Sequence, residues 1–304
     1  MDKTIALLKG GFSNEAAVSR NSASSVEEAL ISLGFNVIPV EVDKTFPEWI
    51  IKNKENIDIV FNALHGNWGE DGKIQGLLEY MDIPYTHSGV TASAIGMHKQ
   101  YAKDIFKSVG LKVPNSKIVN LVTMKVAQPF NRPYIIKPVS GGSSLGIKII
   151  EQDTIIEDAI KELPNEIFIA EEYIEGKDIT VAVIGEKTLG ILEVSPKQRF
   201  YNYKAKYDKS SNTEYISADY LPPEIKKKLL ADSIKANNIL NCKGVTRVDF
   251  RLNLKMGLEG LYLLEINTQP GLTKNSLVPK IAKNAGLSFK ELIKLILNDA
   301  GVNK

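Results

Sequence analysis

The sequence predicts a multidomain protein that joins an α/β part to an α+β part. Three observations carry this. Residues 4–86 alternate short apolar strands with helical segments, the pattern of a parallel sheet. Residues 132–150 run strand, Gly/Ser-rich loop, strand. Residues 245–276 read as a hairpin with one charged face, followed by a polar loop and a helix. The 304 residues suffice for two or three domains.

Residues 4–8, TIALL, form a buried-type strand. Gly10 and Gly11 turn the chain, and Ser13 or Asn14 caps a helix running to about Leu33. This strand–glycine–helix start lacks the G-x-G-x-x-G spacing of a dinucleotide site. Glu15 falls in the first helical turn, where the helix dipole favours an anion. Capping alone would account for it. A strand over 36–42, a short helix opened by Pro47 and a strand over 57–64 follow. HGNWGEDG, residues 65–72, then lies just past a strand's carboxyl end, where open α/β sheets bind ligands. A tight turn with a helix cap has the same composition. A helix over 73–81, a strand over 83–86 and a break at 87–89 close a first domain, 1–89.

Val90 to Gly110 reads as a helix interrupted near Gly96, with Lys99 by itself an ordinary surface lysine. Residues 113–119 are extended, and 120–131 carry no strong pattern. An apolar strand then delivers Lys137 to PVSGGSSLG. Glycines let backbone N–H groups approach phosphate oxygens closely. The order is not the strand–loop–helix of a Walker loop, and GxxxxGK[ST] is absent. A helix over 154–163 and a strand over 167–173 follow, and EGKD at 175–178 reads as a charged turn. Strands over 179–184 and 188–194 pair around Gly185-Glu186. Residues 196–217 lack periodicity but hold Tyr201, Tyr203, Lys204, Lys206 and Tyr207, too aromatic for a solvated linker. A helix spans 222–241.

In the hairpin, Arg247, Asp249 and Arg251 share one face, and Val248 and Phe250 the other. On the second strand Glu265 and Asn267 share a face, with Tyr262, Leu264 and Ile266 opposite. Pairing brings Asp249, Glu265 and Asn267 together as three hard oxygen ligands suited to Mg²⁺, with ATP phosphates and water completing its shell. Arg247 adds a donor for developing charge. A half-buried sheet with a solvated polar face fits the alternation equally well. Ser276 caps the helix LVPKIAKNAG, whose N-terminus suits a carboxylate, and a last helix spans 288–299.

A formal net charge of +2 without a basic stripe argues against a nucleic-acid binder. No apolar run approaches the ~20 residues of a membrane helix. One cysteine, Cys242, excludes an internal disulfide and reads as a packing residue. Cytoplasm is the default compartment.

RVDF followed by LLEINTQPGLTKNSLVP resembles the C-terminal signature of the D-alanine–D-alanine ligases, in the ATP-grasp superfamily. GGFSNEAAVS, HGNWGEDG, MHK at 97–99, the Lys137 loop and FYNYKAKY are similar to further motifs of that family, in order along the whole chain. The resemblance implies an ATP-grasp fold behind an N-terminal parallel α/β (pre-ATP-grasp) domain. Its divisions are 1–89 with the first substrate site, 90–173 with the phosphate lid and adenine edge, and 174–304 with the ω-loop, metal site and second substrate site. It implies that Glu15 holds the first substrate's ammonium, with His65 near that substrate. Lys99, Lys137 and Lys206 would meet ATP phosphates. Glu171 by its side chain and Glu172 and Ile174 by backbone would contact adenine, and Asp178 the ribose. Ser143 would meet Glu15 and Tyr207. Asp249, Glu265 and Asn267 would bind Mg²⁺, as two ions, or Mn²⁺. Arg247 and the Gly271 N–H would hold an oxyanion, and Ser276 with Leu277 at the helix start would take the second carboxylate. A homodimer is implied by analogy.

The chain departs from the family pattern at Ala16-Ala17, His98 and Lys204. The activity implied is ATP-dependent joining of two D-alanines through an acyl phosphate, for peptidoglycan precursors. The rivals are another ATP-grasp carboxylate–amine ligase, such as a D-alanine–D-lactate or D-alanine–D-serine enzyme, and a non-catalytic ATP-binding regulator. Tyr207 resembles the D-alanine-specific type. A nicotinamide dehydrogenase would leave the C-terminal third unexplained.

Overall fold

The computed structural model describes residues 3–304 except 125–126, 144, 162, 164–166 and 197–212, and leaves aside the side chains at 122 and 123. The first sheet is parallel, with β1 (Thr4–Gly10) between β2 (Asn36–Val42) and β3 (Ile59–Asn62). Helices α1 (Ala16–Ser32), α2 (Phe46–Asn53) and α3 (Lys73–Tyr80) connect and cover it. On β1, Ile5 and Leu7 pack with Val26 and Leu30 of α1, while Ala6 and Leu8 pack with Phe46, Ile50 and Leu78. A strand buried on both faces needs such a continuous apolar run. The expected strand over 83–86 reduces to one bridge, Val60 to Tyr85, and Tyr85 also bridges Gly301.

The helical stretch after residue 90 divides into α4 (Val90–Met97) and α5 (Lys99–Ser108), and the break falls at His98 rather than near Gly96. His98 is extended and its Nδ1 accepts from Tyr101 N at 3.2 Å, so it caps α5. Then come β4 (Ser116–Val119), α6 (Leu121–Met124), β5 (Tyr134–Pro138), β6 (Lys148–Ile150), α7 (Ile156–Lys161) and β7 (Phe168–Glu172). They build an antiparallel sheet ordered β4–β7–β5–β6. Tyr134, Ile136, Ile150 and Ala170 face α6 and α7 from it.

The third sheet is antiparallel, ordered β10–β9–β8–β11–β12. It comprises β8 (Lys177–Ile184), β9 (Lys187–Ser195), β10 (Glu214–Ser217), β11 (Val245–Leu252) and β12 (Leu261–Asn267). The strand β10 has no counterpart in the sequence expectation; four residues are too few to show alternation. Helix α8 (Pro223–Ile239) and α5 cover one face, against Val181, Val248, Phe250, Leu263 and Ile266. Cys242 is buried in this cluster, its thiol pushed up to about 12 by burial, which suits packing. The last helices, α9 (Leu277–Asn284) and α10 (Phe289–Asn298), bring Val278, Ile281, Ile293 and Ile296 into one core with β1, α1 and β9. The third sheet thereby leans on the first.

One expectation needs correction. On β12, Tyr262, Leu264 and Ile266 do not share a face. A bulge shifts the register so that Asp249 opposes Glu265 but Phe250 opposes Leu263, leaving Leu264 over. The alternation changes phase there: Leu261, Leu263 and Ile266 enter the core, while Tyr262, Leu264, Glu265 and Asn267 are only partly buried. The period-2 rule assumes an unbroken ladder.

Candidate active site

Four segments meet where the first and third sheets approach: the start of α1, the loop after β3, the loop after β5 and the loop after β12. Glu15 is the cap residue of α1, one position before the helix, and is 8% exposed. Ser13 does not cap the helix; its hydroxyl accepts from Glu15 N at 3.1 Å and donates to the His65 carbonyl at 2.5 Å. It thus seats Glu15 against the 65–72 loop. From the other side, Ser143 Oγ donates to Glu15 Oε1. A Cβ on Gly66 would stand 2.7 Å from Glu15 Oε2, and one on Gly142 3.0 Å from it. A side chain at either position would crowd this carboxylate, and the φ of +72° at Gly66 itself favours glycine.

His65 is buried behind it. Its Nδ1 lies 3.0 Å from Glu70 Oε1 and its Nε2 2.9 Å from Ser22 Oγ. Burial raises the Glu70 carboxyl above the usual range, and the His65 hydrogen bond opposes that shift. Ser22 Oγ in turn accepts from Leu272 N at 3.4 Å. A Cβ on Gly271 would lie 3.1 Å from Ser276 Oγ and 4.0 Å from His65 Nε2, so His65, Gly271 and Ser276 border one space. Ser276 sits at the cap position of α9 but its hydroxyl turns back, accepting from Thr273 N at 3.1 Å and pairing with Thr273 Oγ1 at 2.8 Å. The Ser276 side chain makes no capping hydrogen bond to the α9 N–H groups, and Leu277, first in the helix, is buried.

On the polar face of the third sheet, Arg247 pairs in register with Asn267 and Asp249 with Glu265. Arg247 grips Asp249 at two points, Nε to Oδ1 at 2.9 Å and Nη2 to Oδ2 at 2.7 Å. Thr180 Oγ1 donates to Asp249 Oδ1 at 2.7 Å. Asn267 Oδ1 accepts from Gln269 N at 3.0 Å, fixing its amide. Among the described residues no three His, Cys, Asp or Glu side chains form a metal cage. The donor set here is two carboxylates and an amide oxygen on neighbouring strands. Hard oxygens of this kind suit Mg²⁺, although Asp249 is held here by Arg247 and Thr180.

The opposite wall comes from α5 and the second sheet. Lys99 and Lys103 stand one turn apart on α5. Lys99 Nζ donates to Gly141 O at 2.6 Å. Lys137 on β5 and Glu171 on β7 form a diagonal pair on the sheet face away from the α6–α7 core. Lys137 Nζ lies 2.9 Å from Glu171 Oε2, and Lys103 Nζ lies 2.8 Å from Oε1, an ion pair off hydrogen-bond angles. Burial pulls Lys137 down, but the Glu171 and Glu265 carboxylates leave it above its usual range. Burial raises Glu171, yet the two ammonium groups hold it below the usual carboxylate range.

The other expected residues lie further along this edge. Glu172 accepts from Asn115 Nδ2 at 2.9 Å, and Ile174 O from Arg251 Nε at 3.0 Å. Arg251 also donates to Asp178 at 2.5 Å. Lys206 and Tyr207, with Tyr201, Tyr203 and Lys204, lie outside the described residues. An open groove lined by Val109, Thr188, Leu230 and Ile234 contains none of the site residues.

Several residues around the site were not singled out in the sequence: Ser22, Asn62, Lys103, Thr180 and Gln269. Ser22 and Lys103 sit at ordinary helix positions, and nothing in one sequence marks them. Asn62 had a signal, a polar residue ending an apolar buried strand. It donates to Gln269 Oε1 at 2.9 Å, and Gln269 Nε2 donates to Leu64 O at 2.6 Å.

The family model described as D-ala D-ala ligase C-terminus matches residues 105–298, and that described as D-ala D-ala ligase N-terminus matches 47–88. A D-alanine–D-alanine ligase of Zymomonas mobilis is 41% identical over 304 residues, 98% of this chain and 94% of the relative. A Bacillus anthracis D-alanine–D-alanine ligase, solved in complex with ATP, superposes with a TM-score of 0.82 at 27% identity, covering 98% of this chain and 97% of that one. The VanG D-Ala:D-Ser ligase of Enterococcus faecalis gives 0.81 at 26% identity, covering 98% and 99%. The architecture is that of the ATP-grasp fold behind a parallel N-terminal domain. By family model, sequence and architecture together, the chain belongs to the D-alanine–D-alanine ligase family.

Proposed function

We propose that the protein joins two D-alanines to D-alanyl-D-alanine with ATP, releasing ADP and phosphate, as a step toward peptidoglycan precursors. One observation carries the reading: the buried Glu15 carboxylate is held by Ser143 between the Gly66 and Gly142 loops, the Gly142 loop follows Lys137, and Lys137 feels the Glu265 carboxylate that opposes Asp249. That supplies an ammonium site beside a phosphate-and-metal site. The family relatives named D-alanine–D-alanine ligase, and the ATP complex of the Bacillus anthracis relative, support the same chemistry.

In this reading Glu15 binds the first substrate's ammonium, with His65 beside it. The substrate carboxylate attacks the γ-phosphate of ATP, and the bond to ADP breaks. Lys99, Lys137 and Lys206 screen the anionic phosphates so that the carboxylate can approach. Asp249, Glu265 and Asn267 would hold Mg²⁺ as two ions, or Mn²⁺, which supplies charge neutralisation of the phosphates. The acyl phosphate is sensitive to water, so the loop around Gly141–Gly146 would have to exclude it, together with the segment between β9 and β10, most of which lies outside the described residues. The second D-alanine binds with its carboxylate at Ser276, Leu277 and the α9 N-terminus. Its neutral amine attacks the acyl carbon, Arg247 and the Gly271 N–H stabilise the oxyanion, and the C–O bond to phosphate breaks as the amine releases a proton, so that phosphate leaves. Tyr207 would close on Ser143 and Glu15.

Glu172, Ile174 and Asp178 line the edge assigned to adenine and ribose. Glu171 belongs there through its carboxylate, which here spans two lysines. The three units are read as 1–89, 90–173 and 174–304, working as a homodimer in the cytoplasm. Among the described residues no helix is long and apolar enough to cross a membrane. The D-alanine–D-serine alternative is not favoured, since the relatives at about 41% identity are named D-alanine–D-alanine ligases. Phosphate release and product mass with D-alanine against D-serine separate the two.

A further inference from the structure

Three features lie beyond the roles above: the buried His87 between the first and third sheets, the Ser22–His65–Glu70 chain, and Lys103. Lys103 reaches furthest, because its position is explained by no core requirement. It is wholly buried, on a helix whose neighbouring Ala102 and Phe106 supply the apolar packing. Burying an ammonium is costly unless it is paired. Its ion-pair partner is Glu171, and Glu171 already pairs with Lys137.

We propose that Lys103 is a positioning residue for ATP: by holding one Glu171 oxygen it confines the other to Lys137, so that the Lys137 ammonium faces the phosphates. The geometry supports this division. The carboxylate offers one oxygen to each lysine, at 2.8 Å and 2.9 Å. Lys103 comes from α5, Glu171 from β7 and Lys137 from β5, so the clamp also fixes α5, which carries Lys99, against the second sheet. Without Lys103, Glu171 would turn both oxygens onto Lys137 and draw its charge away from the cleft. The charges acting on Lys103 are Glu171, Lys137 and Glu265 of β12; burial outweighs the carboxylates and lowers its ammonium to about 8. This inference rests on the reading of Lys137 as a phosphate contact, and the experiment keeps the two apart.

The test is a double-mutant cycle on Lys103→Met and Lys137→Met, reading the apparent KM for ATP and for D-alanine. The proposal expects Lys103→Met to raise the ATP KM about tenfold or more, with the D-alanine KM changed less than threefold. It expects the double variant to be no worse for ATP than Lys137→Met alone. Lys103→Arg keeps the charge and the fold, and should restore most of the ATP affinity. If Lys137→Met leaves ATP binding intact, the phosphate reading of Lys137 fails, and this proposal with it. If Lys137→Met weakens ATP but Lys103→Met does not, or their effects add fully, the proposal alone falls. Should Lys103→Met not fold, the arginine variant decides: an ATP KM raised about tenfold there, in a folded protein, overturns the proposal.

Discussion

Asn62 donates a hydrogen bond to Gln269 across 2.9 Å, joining residues 207 positions apart. Asn62 ends the first sheet's strand β3, and Gln269 opens the loop after β12. Both are buried, and Gln269 also binds the Leu64 carbonyl. The pair fixes the loop bearing His65 relative to the loop bearing Gly271. Replacing Gln269 with Leu strips partners from two buried polar groups, at about 1–3 kcal/mol each. The expected outcome is a lower thermal midpoint together with loss of ligase activity. A variant of full stability and full activity would show that the two loops are positioned otherwise.

Glu15→Gln keeps an acceptor for Ser143 but removes the charge meant for an ammonium. The expected result is a rise of about tenfold or more in the KM for D-alanine, with the KM for ATP little changed. Steady-state kinetics with each substrate varied in turn makes the distinction.

Asp249 accepts from Arg247 and Thr180 and opposes Glu265. Asp249→Asn should fold, since the amide oxygen still accepts from Thr180. It should demand more Mg²⁺ for half-maximal activity. Chelation of the wild type should abolish turnover, and restored Mg²⁺ should recover it. A magnesium titration of both proteins checks this; identical curves would remove Asp249 from the metal set.

His87 is 1% exposed, and neither ring nitrogen has a hydrogen-bond partner among the described residues. Burial first, then the nearby Lys304 and His65, lower it to about 3; a contact with the Val245 backbone acts the other way but lacks hydrogen-bond geometry. Between pH 6.5 and 3 the unfolded chain binds a proton here that the folded protein refuses. Stability is therefore fully present above about pH 6.5 and falls as pH falls through that window, by an amount on the order of 3–5 kcal/mol. His87→Asn removes the titration and tolerates the left-handed backbone at this position. Denaturant melts across the acid range should show a shallower loss of stability in the variant.

Much of this fold is legible in the sequence because its strands are short, regular and bounded by Gly or Pro. Asn36–Val42 carries its boundaries in its composition, and so does the β5–β6 hairpin around Lys137. The β12 bulge is not legible, since nothing local distinguishes Leu264 from its neighbours, and the ladder is set by β11 across the turn. The break at His98 rather than Gly96 has a similar origin. Gly96 packs where a Cβ would meet Thr268 at 2.8 Å, so that glycine serves a close approach inside α4. His98, meanwhile, supplies the cap. At the site, residues in unusual local patterns stood out: Glu15 at a helix start, Lys137 before glycines, Asp249 and Glu265 in period 2. Ser22, Lys103 and Gln269 act through partners far away in sequence, and only the folded chain brings those partners to them.

The central claim is tested most directly by phosphate release from ATP and Mg²⁺, with D-alanine, L-alanine, D-serine and D-lactate offered singly and in pairs. The account predicts release that depends on D-alanine, with D-alanyl-D-alanine seen by mass. Release with another acid–amine pair and none with D-alanine would contradict the substrate assignment. ATP binding with no turnover on any pair would contradict the enzymatic reading itself.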